Sequence, residues 1–444
     1  RTSGSPPAPA VHPGGLPDLR QRLLYTLAVL LIFRFAAHVP VTGLNTAQLK
    51  ALLDPSSTSA GSQAAQFINL LTGGALEQFS VVTLGVYPYI TASIIISLLA
   101  PLIPSLEELQ KEGESGRNKI TRMTYWLTIP LAILQGIANI GLVNSQSTGT
   151  GTQVVAFGVQ HPLNTATVLI SLLGGTMFAL WLGERITEKG IGNGISIIIF
   201  GGIITRIPQS LLQLISGGQV LALILVVLFT VLTVALIVYI QEAHRRIPVQ
   251  YGRRMRGAQV YGGQSTFIPL RVNSAGMIPL IFASALMVFP QLLGSVMEKA
   301  SQAQVKAIGL FITDHFTRQS SLWWLIYFGF VVLFTFFYTD VVFRQQALHE
   351  TLQRNGGFIP GIRPGKQTED FLTLVMRRIT FAGAVFLGLV AILPFLVAVV
   401  AGLPTNSSML ISASGLLIVV GVVLDTIKQL EAQLLMRHYE GFIR

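Results

Sequence analysis

VLALILVVLFTVLTVALIVYI, from Val220 to Ile240, runs for twenty-one residues without a charge. A helix rises about 1.5 Å per residue and the hydrocarbon core of a bilayer is about 30 Å thick, so this stretch is long enough to cross it. It gives way at once to QEAHRRIPVQYGRRMRG, Gln241 to Gly257, whose arginines cannot follow it into lipid. An apolar span closed by a basic segment decides the fold class, and the pattern recurs along the chain. Ten such stretches are predicted: Leu23 to Val41, Val81 to Ile103, Met123 to Val143, Ala166 to Leu182, Ile191 to Ile204, Val220 to Ile240, Met277 to Leu293, Leu322 to Val342, Ile379 to Val400 and Leu410 to Leu424. The fourth, fifth, seventh and tenth are short or interrupted by glycine.

The composition agrees. Of 444 residues 51% are hydrophobic and 11% charged, and the mean hydropathy is +0.63, whereas soluble domains carry roughly 25% charged residues. The net charge of +11 needs no nucleic-acid partner, because a membrane protein keeps basic residues in the loops of one side. The absence of cysteine excludes disulfides, thiolate metal sites and cysteine nucleophiles.

Orientation follows from the 30 Lys and Arg residues. With the N-terminus cytosolic, 24 fall in cytosolic segments and 5 in outer loops, and Arg34 lies inside the first span. Both termini are therefore expected inside. Five spans in each half force the second half to enter the membrane the opposite way up, so an inverted repeat is expected. The fold class is an all-α membrane protein of ten transmembrane helices in two inverted five-helix halves. Residues 1–22 form a disordered cytosolic tail, 23–212 the N-terminal half, 213–428 the C-terminal half and 429–444 a cytosolic tail.

Motifs for chemistry fail one by one. GIRPGKQ, Gly361 to Gln367, has Pro360 where a phosphate loop needs glycine, and Gln367 where it needs Ser or Thr for magnesium. GIGNG, Gly190 to Gly194, has the wrong spacing for a dinucleotide loop, and HETLQ at His349 lacks the second histidine of a metalloprotease. No cofactor, metal or catalytic activity is expected. An ion-coupled carrier would place an acid deep in the bilayer, but the deepest acids in this reading, Asp340 and Asp425, lie near cytosolic ends.

Two features need more than topology. INLLTGGALEQFSVV, Ile68 to Val82, is too apolar for a free outer loop and is broken at Gly73 and Gly74. It reads either as a short re-entrant, plug-like helix or as an amphipathic surface helix. The cytosolic loops 241–272 and 343–378 exceed what a turn requires. The first carries Arg245, Arg246, Arg253, Arg254, Arg256 and Arg271, with Val260, Tyr261, Thr266, Phe267 and Ile268 placed around a Gly-Gly turn as in a protruding hairpin. The second presents Arg363 within NGGFIPGIRPGK, Asn355 to Lys366. Basic projections of this kind suit docking of an acidic or RNA-rich partner.

The ordered segments KEGESGRNKI (Lys111 to Ile120), GVYPYITASIII (Gly85 to Ile96), WLGERITEKGIGNGISIIIFGGI (Trp181 to Ile203), YGGQSTFIPLRVNSAGMIP (Tyr261 to Pro279), GFIPGIRPG (Gly357 to Gly365) and LLIVVGVVLD (Leu416 to Asp425) resemble the bacterial SecY family of protein-secretion channels. The resemblance runs from about Leu19 to Tyr439. It implies a clamshell of two halves around a central pore that passes unfolded polypeptides and releases signal sequences and transmembrane segments sideways into lipid.

Carried onto this chain, the family's pore ring is Val86, Ile90, Ile195, Ile199, Ile281 and Ile418. Its plug is Asn69, Leu70, Leu71, Thr72, Gly73, Gly74, Ala75, Leu76 and Phe79. Its lateral gate places Thr91, Ser93 and Ser97 opposite Asn273, Ser274 and Ile278. The resemblance also implies docking of the SecA ATPase or the ribosome, including ribosomal RNA, through Arg245, Arg246, Arg253, Arg254, Arg256 and Arg363. SecE and SecG are the implied subunits, and the bacterial plasma membrane, or a thylakoid membrane, the implied location. One departure stands out: Gly257, Ala258 and Gln259 occupy a turn where many relatives carry an Arg pair.

Overall fold

The computed structural model describes residues 17–41, 79–100, 103–146, 162–205, 220–251, 254–256, 259–261, 265–276, 278–297, 302–316, 320–346, 348–354, 356–401 and 413–440, with isolated positions between 208 and 215. Each of the ten predicted stretches falls on a helix. These are α1 (Pro17–Ala36), α2 (Tyr87–Leu99), α4 (Glu114–Gln146), α5 (Pro162–Lys189), α6 (Gly194–Ile204), α7 (Val220–Glu242), α8 (Ile278–Met297), α10 (Ser321–Gln346), α12 (Lys366–Ala401) and α13 (Ala413–Glu440). Three shorter helices, α3 (Pro104–Lys111), α9 (Ala303–His315) and α11 (Leu348–Arg354), lie between them. Among the described residues, α4, α5, α7, α10 and α12 are long and apolar enough to cross a membrane, and the bent pair α2–α3 would make a sixth. At 13 and 11 residues, α2 and α6 are about 20 and 16 Å long, short of a 30 Å core.

Several boundaries move, and two of the shifts change how a span is read. The first span begins at Pro17 rather than Leu23 and ends at Ala36, so Arg34 sits in its last turn instead of deep in the helix. The second is not helical from Val81: residues 81–86 form consecutive turns, and Val86 is the N-cap of α2. Hydropathy cannot separate the two, because an apolar turn buried in protein and an apolar helix turn have the same composition. The structure makes room for the turns with Gly175 on α5, where a Cβ would stand 1.9 Å from the Val81 carbonyl oxygen. The same logic joins α5 to α6, since a Cβ on Gly194 would stand 1.8 Å from the Gly183 carbonyl oxygen. In lipid, helices gain little from hydrophobic burial against one another, so close backbone approach of this kind supplies the packing.

The fold is not purely helical. β1 (His244–Tyr251) pairs antiparallel with β4 (Ser265–Arg271) from His244↔Arg271 to Gln250↔Ser265, and β5 (Gly357–Phe358), from the other basic loop, joins the free edge of β1. A separate hairpin pairs β2 (Arg254–Arg256) with β3 (Gln259–Tyr261). In this register Arg256 pairs with Gln259, so β3 pairs with β2 and not with β4 across Gly262-Gly263 as the β-type residues suggested; Gly262 and Gly263 themselves lie outside the described residues. Val260 and Tyr261 belong to β3, whereas Thr266, Phe267 and Ile268 belong to β4.

Under the three-stranded sheet, Ile247, Val249, Leu270, Leu352, Ile359, Leu372 and Met376 form a buried cluster that binds both loops to α11 and the first turns of α12. Each such side chain contributes roughly 1.5–3 kcal/mol when removed from water. The two basic loops are therefore one folded unit.

Candidate functional site

The larger of the two intramembrane clusters contains Val86, Ile199, Ile281 and Ile418 as buried residues, with Ile90 and Ile195 packed against it. The structure thus brings together all six ring candidates, which come from four helices and both halves of the chain. Five of them lie at or near the start of a helix, and Ile199 is the middle residue of the short α6. Val86 caps α2, and the Ile90 N–H donates to its carbonyl at 3.1 Å, so the two keep helical spacing across the cap. Ile195 and Ile199 follow Asn193, whose side-chain oxygen accepts from the N–H groups of Ile195 and Ser196 at 3.1 and 3.3 Å and fixes the start of α6. Ile281 is the fourth residue of α8 and Ile418 the sixth of α13.

A neighbouring cluster of α7, α8, α10, α12 and α13 packs Ile237, Met287, Val331, Leu387 and Leu417 with Trp323, Trp324 and Tyr327. α8 and α13 contribute to both clusters and so connect them.

Of the plug candidates, Asn69 to Leu76 lie outside the described residues. Phe79 is fully buried, with the positive φ of 43° that a non-glycine residue seldom adopts. It is held in place because its carbonyl accepts from the Val41 N–H at 3.0 Å and because Ser80 bridges to Pro40.

The gate candidates are largely satisfied within their own turns. Thr91 Oγ1 donates to the Tyr87 carbonyl at 3.0 Å and accepts from Gln135 Nε2 at 3.3 Å, so Thr91 faces α4. Ser97 donates to the Ser93 carbonyl and Ser274 to the Arg271 carbonyl. Asn273 is buried; its Nδ2 donates to the Gly276 carbonyl at 3.3 Å, and its Oδ1 has no partner among the described residues. Ile278 packs against the ring cluster.

The docking candidates separate too. Arg245 and Arg246 are exposed on β1, and the Arg246 guanidinium lies 4.9 Å from the Phe267 ring centroid. Arg254 and Arg256 are on β2, and Arg253 lies outside the described residues. Arg363 is exposed on a tip turned by Gly361 and Gly365, with φ of 82° and 106°, while Ile359 beside it is buried in the sheet's core. Its carbonyl accepts from Thr368 Oγ1 at 3.0 Å, which ties the tip to the start of α12.

One polar group was missed because the fourth stretch was ended at Leu182. α5 continues to Lys189, so Glu184 lies within the helix, half-buried. The Tyr125 hydroxyl of α4 donates to it, and the Tyr125 and Tyr89 rings are 5.3 Å apart. Both tyrosines pack against the ring cluster. The apolar Ile186, two residues past Glu184, was the available signal that the helix runs on.

A sequence profile described as SecY matches residues 80–427. The protein translocase subunit SecY of Thermotoga maritima is 42% identical over 431 residues, covering 97% of this chain and 96% of its own. That of Streptomyces coelicolor is 40% identical over 438 residues, covering 96% and 98%. Two solved structures, one described as a protein-conducting channel and one as Sec61 in the canine ribosome-channel complex from the endoplasmic reticulum, each superpose with TM-score 0.59 at 19% identity, covering 94% of this chain and 93% of their own. At that identity they show the fold, a helical channel fold, and the profile and the bacterial relatives show the rest: the chain belongs to the SecY family.

Proposed function

We propose that this chain is the pore subunit of a bacterial plasma-membrane secretion channel, with ten spans in two inverted halves, both termini cytosolic and no catalytic activity of its own. Unfolded polypeptide passes through the ring of Val86, Ile90, Ile195, Ile199, Ile281 and Ile418, and the residues 69–79 plug its outer side at rest. Apolar side chains suit this task because they exclude water from a narrow constriction and close around any sequence without binding it. The observation that carries the reading is the meeting of those six residues, from four helices, in one apolar cluster.

Signal sequences leave sideways between α2 and α8, driven by burial of their apolar surface in lipid. The unpartnered Asn273 Oδ1 weakens the closed seam, because a buried acceptor without a donor costs about 1–3 kcal/mol. The push comes from SecA or a translating ribosome docked on Arg245, Arg246, Arg254, Arg256 and Arg363, with Arg253 on the same loop. SecE and SecG complete the complex.

The test is a photocrosslinking residue at Ile90, with one at Leu228, which is 61% exposed on α7, as the control. A secretory precursor halted partway attaches at Ile90 and not at Leu228. Attachment at neither, with the precursor demonstrably engaged, overturns the placement of the ring.

A further inference from the structure

The paired strands β1 and β4 join α7 and α8 through a narrow neck. The Val272 N–H donates to the Ala243 carbonyl at 3.0 Å, so the pairing that starts at His244↔Arg271 is closed one residue further by backbone alone. Two helices hold this neck, and they hold it differently. α12 meets it without side chains, since a Cβ on the buried Gly383 would stand 2.6 Å from the Val272 carbonyl oxygen. α13 meets it through side chains. Lys428 Nζ lies 2.6 Å from Oε1 of Glu242, the last residue of α7, and the charges of His244 and Arg271 also act on that carboxylate. About two turns earlier on the same face of α13, Gln241 Nε2 lies 3.5 Å from where a Cβ on Gly421 would stand.

The ion pairs Arg185–Glu188 and Arg354–Glu350 each lie within one turn of one helix, whereas Glu242–Lys428 joins two long helices that are far apart in sequence. With Lys428 and Glu242 side chains 34% and 41% exposed, the pair adds little to stability. Its effect lies in which elements move together. α13 also carries Ile418, about 15 Å along the axis from Lys428 and buried in the apolar cluster. Between the two, Thr426 Oγ1 lies 3.0 Å from where a Cβ on Gly192 would stand, in the bend that leads into α6 with Ile195 and Ile199. One stretch of one helix, 418–428, therefore touches the neck of the basic loops, the bend before α6 and the cluster of the ring.

We propose that Glu242 and Lys428 are a positioning pair that carries docking at the basic loops to the ring. A bound partner displaces the neck, the ion pair takes α13 along with it, and Ile418 shifts in the constriction. This rests on the channel reading above.

The test places Lys428→Met, Glu242→Gln and the two together in the full complex in vesicles, with SecA, ATP, a secretory precursor and the photocrosslinking residue at Ile90. Two quantities are read, the affinity for SecA and the rate at which precursor reaches Ile90. Each single substitution is expected to change the affinity by less than about twofold and to slow arrival about fivefold. The double substitution should slow it no more than either single one, because a pair broken once has nothing left to lose. Lys428→Arg, which keeps the charge, should run close to wild type. Arrival at the wild-type rate in all three neutral variants, or a double variant slowed by the product of the single effects, overturns the proposal. So does a loss of affinity as large as the loss of rate, which would make the pair part of the docking surface. Failure of the wild-type complex to crosslink at Ile90, with the precursor demonstrably engaged, overturns the channel reading instead.

Discussion

Tyr125 gives its hydroxyl hydrogen to Glu184 across the gap between α4 and α5, and its ring meets Tyr89 of α2, so three helices beside the apolar cluster are tied at one point. A hydrogen bond to a charged group contributes about 1.5–3 kcal/mol, toward the lower end here because the pair is only part-buried. Tyr125→Phe is expected to lower the stability of the solubilised complex by about 1–2 kcal/mol, and Glu184→Gln, which keeps a neutral acceptor, by less. Thermal unfolding of the two variants checks the order; equal, negligible shifts would show that the bond holds nothing. At the same scale, Asn273→Leu removes a buried acceptor that has no partner, and the closed state should gain about 1 kcal/mol. Export of precursors with weakly hydrophobic signals then slows several-fold, and export at the wild-type rate would refute the role given to Asn273. The six residues of the proposed ring could be named only through the resemblance to a family, since isoleucine in an apolar helix has no signature of its own; the structure shows that they share one apolar cluster. Glu184 was missed because the predicted span ends two residues before it, at Leu182.

Elements were legible where composition decides them and opaque where backbone geometry does. The uncharged run of α7 could be read directly, and so could the basic loops that stop the spans. The turns at 81–86 could not, because what bends the chain there is the clearance offered by Gly175 on another helix. Gly175→Val should therefore do more than weaken packing: its Cβ would stand 1.9 Å from a carbonyl oxygen, and backbone cannot yield as a side chain tip can. The expected outcome is loss of the folded complex, read as the absence of a monodisperse peak on size exclusion. In the sheet, a Cβ at Gly357 would meet Tyr251 at 3.0 Å, Leu352 at 3.2 Å and Val249 at 3.3 Å, so Gly357→Val should part β5 from β1 without unfolding the spans. Limited proteolysis within 343–378 would then accelerate, and unchanged cleavage would mean that the clasp tolerates the side chain. The hairpin was misplaced at Gly262-Gly263 because the glycine pair is the stronger turn signal, whereas β3 pairs with β2 and not with β4.

At the scale of the whole molecule, charge and connectivity act together. Arg245, Arg246 and Arg363 are exposed on one folded unit although their codons lie far apart. Reversing all three to Glu should weaken binding of a ribosome or SecA and flatten the salt dependence of whatever binding is left, because fewer counterions are released per encounter. A triple variant that bound as tightly, with the same salt slope, would move the docking surface elsewhere. The unit also has a mechanical character. β1 and β4 are joined by seven register pairs, whereas β5 adds only two at the edge. Under load the edge strand yields first, like a shear pin, and the hairpin that runs from α7 into α8 stays whole. A pull on the paired β1 and β4 is thus transmitted to α7 and α8 together, while a pull on the Arg363 tip goes to α12 and is released early. The weakest joint sets how much force one loop can pass to the other.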